Sequence, residues 1–190
     1  MTGSVTRARE AGLELARMLA ALVWVAATSA LVIAALGALP GWIAGEGSAV
    51  RHAASVQEAE RRLGAMLMLP GYFPQRLAWP PSEIRLAGGR RGSAAITVVD
   101  RTGAPAVQIL QSTAEGAEIA APLLADRNVL RVQRTTVGPY PATLSAVLVA
   151  GQPWQELAWE QRGRAVLLRT RGDLDELYHM AHSTHPGGGR

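Results

Sequence analysis

Three histidines near the C-terminal end of the chain, His179, His182 and His185, form the cluster whose residue type and spacing best fit metal ligation. On a helix, His179 and His182 share a face at i and i+3, and His185 stands one step further on, so two imidazoles could meet one divalent ion. The chain has no Cys, and no carboxylate accompanies the histidines at a diagnostic spacing. Pro186 also ends the helical pattern there. The cluster therefore reads as an exposed last turn, where a protonated imidazole suits the negative end of the helix dipole. No metal site is expected.

A second candidate is Glu156 with Glu160, which flank Trp159. On a strand, residues four apart lie on one face, so these two could act as a carboxylate pair in general acid and base chemistry. Arg162 and Arg164 follow directly, and a solvated salt-bridge face is the expectation instead. Nucleophilic schemes based on Cys or Lys are closed to a chain that contains neither. It also lacks a Gly-x-Ser-x-Gly elbow, a Walker loop, a dinucleotide fingerprint and a His-Glu-x-x-His pair. No catalytic, cofactor-binding or metal residue is assigned, no cofactor is expected, and the chain is read as a non-enzyme.

Charge gives little support to a nucleic-acid partner. All 19 basic residues are Arg, a bias attributable to genome composition, and the net charge is +4. Setting aside Arg7, Arg9, Arg17, Glu10 and Glu14 leaves about +3, with Glu115, Glu118, Asp126, Glu156 and Glu160 interspersed among the bases. The best candidate for an anion-binding stripe is Arg162, Arg164, Arg169 and Arg171, facing anionic lipid or a cell-wall polymer.

The elements that would position these residues hang from one stretch. Met18 to Leu39 runs for about 22 residues without a charge, enough to span a bilayer core of about 30 Å as a helix. It is longer than the apolar core of a cleaved signal, and its leader carries two Glu, although Ala35 and Gly37 could form a cleavage pair. Trp42 suits the far interface. Arg7, Arg9 and Arg17 precede the stretch, whereas Pro40 to Val50 has no Arg, so the N-terminus is expected in the cytoplasm and the C-terminal domain outside the inner membrane. The organisation expected is a tail over 1–17, a single-pass transmembrane helix over 18–39 in contact with membrane lipid, a linker over 40–54, an extracytoplasmic domain over 55–185 and a disordered tail over 186–190.

Within that domain, Ser55 and Glu58 form a capping box for a helix whose face carries Val56, Ala59, Leu63, Met66 and Leu67. Pro70 and Pro74 then make a corner in which Tyr72 and Phe73 are expected to plug the core. Period-two segments follow at 94–99, 106–110, 130–134, 142–149, 156–161 and 164–169, with turns at Thr102-Gly103, Gly138-Pro139 and Arg162-Gly163. The segment 115–128, interrupted by Pro122, is a short helix or a covering loop. Asp173 and Glu176 open a last helix that buries Leu174, Leu177, Tyr178 and Ala181. The fold class expected is α+β: an N-terminal transmembrane helix, then an antiparallel sheet with an N-terminal and a C-terminal covering helix.

Ser55 to Ala59, Leu69-Pro70-Gly71-Tyr72-Phe73-Pro74, Leu157-Ala158-Trp159-Glu160 and Gly172 to Leu177 together resemble a bacterial extracytoplasmic domain of unknown function. That domain occurs at the outer ends of single-pass sporulation, anti-sigma-type and lipoprotein-like membrane proteins. The resemblance covers roughly Ser55 to His182. It implies sensing or binding rather than catalysis and provides no active site to transfer. The tail before Met18 is too short for a sigma-factor-binding domain, and Gln75-Arg76-Leu77 replaces the glycine and aromatic usual beyond the corner. A membrane-anchored sensor or binding module with a protein partner in the membrane or envelope is the expectation. The alternative is a single-pass accessory subunit of a larger membrane complex, because the Ala-rich stretch permits close helix contact.

Overall fold

Residues 50–187 are described by the computed structural model, and all lie in the second of the chain's two units, Glu46–Arg190. In chain order the elements are β1 (Arg51–His52), α1 (Val56–Leu63), β2 (Met68–Pro70), β3 (Leu77–Ala87), β4 (Ser93–Asp100), β5 (Pro105–Ser112), a 3-10 turn (Ala121–Leu123), β6 (Arg127–Val137), β7 (Tyr140–Val149), β8 (Gln152–Gln161), β9 (Arg164–Thr170), α2 (Leu174–His182) and β10 (Thr184–Pro186). Eight strands form one sheet in the order β1-β3-β4-β5-β9-β8-β7-β6, and β2 pairs with β10 in a small ribbon. Every neighbouring pair is antiparallel. Two meanders, β3–β5 and β6–β9, are thus joined where β9 lies beside β5.

The alternation expected of a half-buried strand explains why both faces are used. Ile84, Ile96, Ile109, Leu168, Leu157 and Leu144 sit opposite one another in register and make one apolar row across six strands. Ala59 and Leu63 of α1 and Leu177, Met180 and Ala181 of α2 belong to the same core, so both helices lie on this face. Each fully buried Leu or Ile contributes about 1.5–3 kcal/mol, which outweighs the modest helix propensity of elements only two turns long. On the opposite face Ala95, Leu110 and Leu167 pack under Leu123, so the connection between β5 and β6 is a covering loop with a single 3-10 turn.

These observations correct the fold class. The expectation of an α+β domain behind a transmembrane helix gives way to a sheet-dominated fold, with an eight-stranded antiparallel sheet and two helices of 8 and 9 residues. No helix among the described residues is long and apolar enough to cross a membrane. The tail expected at 1–17, the span at 18–39 and most of the linker lie outside the described residues, as do residues 188–190. The sheet is larger than expected because β3 hides behind Pro80 and Pro81, where the register shifts between Ala78 and Glu83. β1 falls inside the segment read as linker, and Pro186 closes β10.

Local signals fare unevenly. The Ser55 hydroxyl accepts the Glu58 N–H at 3.2 Å, and the Glu58 carboxylate accepts the N–H of Ala54, one residue before the cap, at 2.7 Å, so the return bond of the capping box is displaced by one residue. Gly64, left-handed at φ 68°, stops α1 three residues before Leu67. At the start of α2, Asp173 accepts the Glu176 N–H at 2.7 Å, but the Glu176 carboxylate turns to Arg76 instead of reaching back. Leu174, expected to be buried, is exposed. Of the corner rings, Phe73 packs against the core, whereas Tyr72 stays 44% exposed and sets its ring edge-on to His179.

Candidate binding cleft

The first turn of α1 is held from several sides. Besides the capping box, Arg62 donates to the His52 carbonyl at 2.9 Å and pairs with Glu58. The Ala54 N–H, followed by the charge of Arg62, holds the Glu58 carboxyl below its usual range. Facing this turn is the irregular part of β3, where two successive prolines cannot donate to the ladder and the strand departs from β4. Trp79 there rests on Phe73, with ring centroids 5.1 Å apart, so the corner buttresses the indole from behind. Between these two walls lies a cleft of about 460 Å³.

Leu69 and Ile84, both buried, contribute apolar lining, Val56, Trp79, Pro80 and Pro81 extend it, and Ser55, Gln57 and Glu60 add polar groups. Its volume falls in the range of small-molecule clefts, which run from about 300 to 1,000 Å³. Glu60 also accepts the Leu67 N–H at 3.0 Å, which fixes its side chain at the cleft wall. An exposed indole and a carboxylate in one cleft favour a ligand with an apolar body and a cationic or N–H-donating head.

The residues singled out from sequence do not gather here. His179 lies against Tyr72, His182 beside Tyr178, and His185 leaves the helix altogether to pair with Leu69 in the ribbon. Among the described residues no group of three His, Cys, Asp or Glu is placed to hold a metal ion. Glu156 and Glu160 separate by depth, since Glu156 is buried and Glu160 exposed. The Arg stripe also divides. Arg169 is fully buried, Arg164 donates to the Met66 carbonyl, Arg171 lies 6.0 Å over the Trp154 ring, and Arg162 occupies the β8–β9 turn at φ 53°.

Arg169 and Glu156 belong instead to a polar row on the second face of the sheet. Thr97, Gln108, Arg169, Glu156 and Ser145 stand side by side in register. Arg169 donates through Nε at 3.2 Å and Nη2 at 2.7 Å to Glu156 Oε2, and through Nη1 at 3.2 Å to Gln108. Arg127 meets the other carboxylate oxygen. Burial pushes both guanidinium groups below their usual range, and for Arg127 the Arg169 charge adds to it. With its hydrogen bonds made within the sheet, this row acts as structure.

Sequence reasoning missed the cleft because its indole lies in a segment, Ala78-Trp79-Pro80-Pro81, that has no strand or helix period. An aromatic residue before a double proline was the available signal. No family profile matches the chain, and neither the curated proteins nor the solved structures offer a match.

Proposed function

We propose that this chain is a membrane-anchored binding module, held in the inner membrane by the uncharged stretch Met18–Leu39 and carrying its sheet domain on the extracytoplasmic side. Its ligand has an apolar body and an ammonium or N–H-donating head. The observation that carries this reading is the cleft between α1 and Trp79-Pro80-Pro81, with Glu60 in its wall. The resemblance of the domain to extracytoplasmic sensing domains and the Arg asymmetry about Met18–Leu39 support the location.

Photolabelling tests the reading in membranes that contain the full chain. An alkyl diazirine bearing a primary ammonium should mark the peptides around Val56 and Trp79. Gln57→Trp, which fills the cleft, should reduce that labelling at least about fivefold by displacing the probe from its apolar walls. Equal labelling of α2, or no loss on filling, would refute the site. Protease added to intact cells should cut the sheet domain, and protection of the domain would refute the orientation.

A further inference from the structure

The two edges of the sheet are finished differently. On one side, β3 is covered at its end by β1 and interrupted by Pro80 and Pro81, which have no N–H to offer. On the other side, β6 is 11 residues long, pairs only with β7, and contains no proline and no acid. Val129, Leu130 and Val132 are 46%, 59% and 60% exposed. Over 127–134 every residue is exposed, whereas Thr135 further on is engaged by the Tyr178 hydroxyl at 2.8 Å. Such an edge presents unpaired main-chain donors and acceptors along about 27 Å, at about 3.4 Å per residue.

Its side chains say what can pair with it. Val129 and Val132 project on the face of Val147 and Ser145, while Arg131 and Gln133 project on the face of Ala146 and Leu144. Val147 packs with Val149 and Trp154, so Val129 and Val132 extend an existing apolar cluster towards solvent. Arg131 and Arg134 make no ion pair among the described residues. A second copy laid antiparallel on β6 would set side by side two strands that each carry Arg131 and Arg134 and no acid, and like charges on paired strands are destabilising. The bulge at Leu130 further discourages a flat self-pairing.

We propose that β6 is an interaction edge that accepts, as a ninth strand, an extended segment of another protein in which carboxylates alternate with β-branched residues. The carboxylates meet Arg131 on the face of Ala146 and Leu144, and the apolar side chains cover Val129 and Val132 on the other face. Main-chain pairing supplies the affinity and Arg131 supplies the preference, as in other strand-addition complexes. This surface is separate from the cleft and stands whether or not the cleft binds a ligand.

The test uses the full chain in detergent micelles and a labelled eight-residue peptide of alternating Glu and Val, read by fluorescence anisotropy against empty micelles. Replacing Glu by Lys in the peptide, or N-methylating alternate residues, should each weaken binding at least about tenfold. The charge-reversed chain Arg131→Glu should lose the Glu peptide and gain the Lys peptide, a swap that misfolding cannot mimic. No binding at about 1 mM peptide, equal binding of the two peptides, or indifference to N-methylation would overturn the proposal. Sedimentation showing a dimer that the charge reversal disrupts would also overturn it, by giving the edge to a second copy.

Discussion

Replacing Glu156 by Gln should destabilise the domain more than any comparable change at an exposed carboxylate. Arg169 has no exposed surface and the Glu156 side chain is only 3% exposed, so neither charge has water to fall back on. At an effective dielectric near 20, two unit charges about 4 Å apart attract by about 4 kcal/mol, against about 1 kcal/mol in water. Desolvating each ion costs several kcal/mol, so the intact pair roughly breaks even. Removing one partner keeps the cost and loses the attraction, which gives about 3–5 kcal/mol for Glu156→Gln. For a domain of this size, that is a fall in Tm of roughly 6–20 °C. Arg127 is 35% exposed at its side chain, and Arg127→Ala should cost only about 1 kcal/mol. Thermal unfolding of the full chain followed by circular dichroism measures both. The double replacement Glu156→Leu/Arg169→Met should recover most of the loss, because the one charge that then lacks its partner, Arg127, is 35% exposed at its side chain and can turn to water. A Glu156→Gln chain within about 1 kcal/mol of the parent, or a double variant worse than the single, would falsify the account of the pair.

Two further outcomes follow from single residues. Gln111 is fully buried and clasps Met68 on both sides, accepting its N–H at 2.8 Å and donating to its carbonyl at 3.0 Å. Gln111→Leu would leave both backbone groups unpaired and should cost about 2–4 kcal/mol in denaturant unfolding, with faster amide exchange in β2 and β10. Acid should erase part of the local order at two turns. The Ala54 N–H holds the Glu58 carboxyl below its ordinary value of 4.5, and Thr102 holds Asp100 below 3.8. Groups with lowered pKa stabilise the fold fully above the ordinary value, and that contribution fades as pH falls through the lower, folded one. Glu58→Gln and Asp100→Asn should therefore melt below the parent at pH 7 and converge on it near about pH 2, and a gap that persists in acid would refute the assignment.

The strands with period-two patterning were legible from their residues, and so were both helix starts. Ser55 with Glu58 and Asp173 with Glu176 are local chemistry, decided within a turn of the chain. The lengths of the elements were less legible, because Met66 and Leu67 continue the apolar spacing of α1 and only Gly64 ends it. Depth was hidden almost entirely. Arg169 and Glu156 alternate like surface residues, and only the cross-strand register, which sets them against each other and Arg169 against Gln108, reveals a buried pair. Tyr72 illustrates the reverse, since two prolines fix the path of the corner but do not choose which ring turns inward.

Pro80 and Pro81 connect the cleft to the asymmetry of the sheet. A strand along the outer edge of β3 would need donors over its whole length, and two consecutive prolines remove them where β1 has already ended. The same prolines detach β3 from β4 between Ala78 and Glu83, and the gap so opened beside α1 is the cleft. One local feature therefore closes an edge to strand addition and creates a concave apolar site. β6 has no such feature, and its protection against indiscriminate pairing rests on Arg127, Arg131 and Arg134 and on the bulge at Leu130. Charge excludes like partners but invites opposite ones, whereas proline excludes all, so the two edges differ in selectivity as well as in exposure.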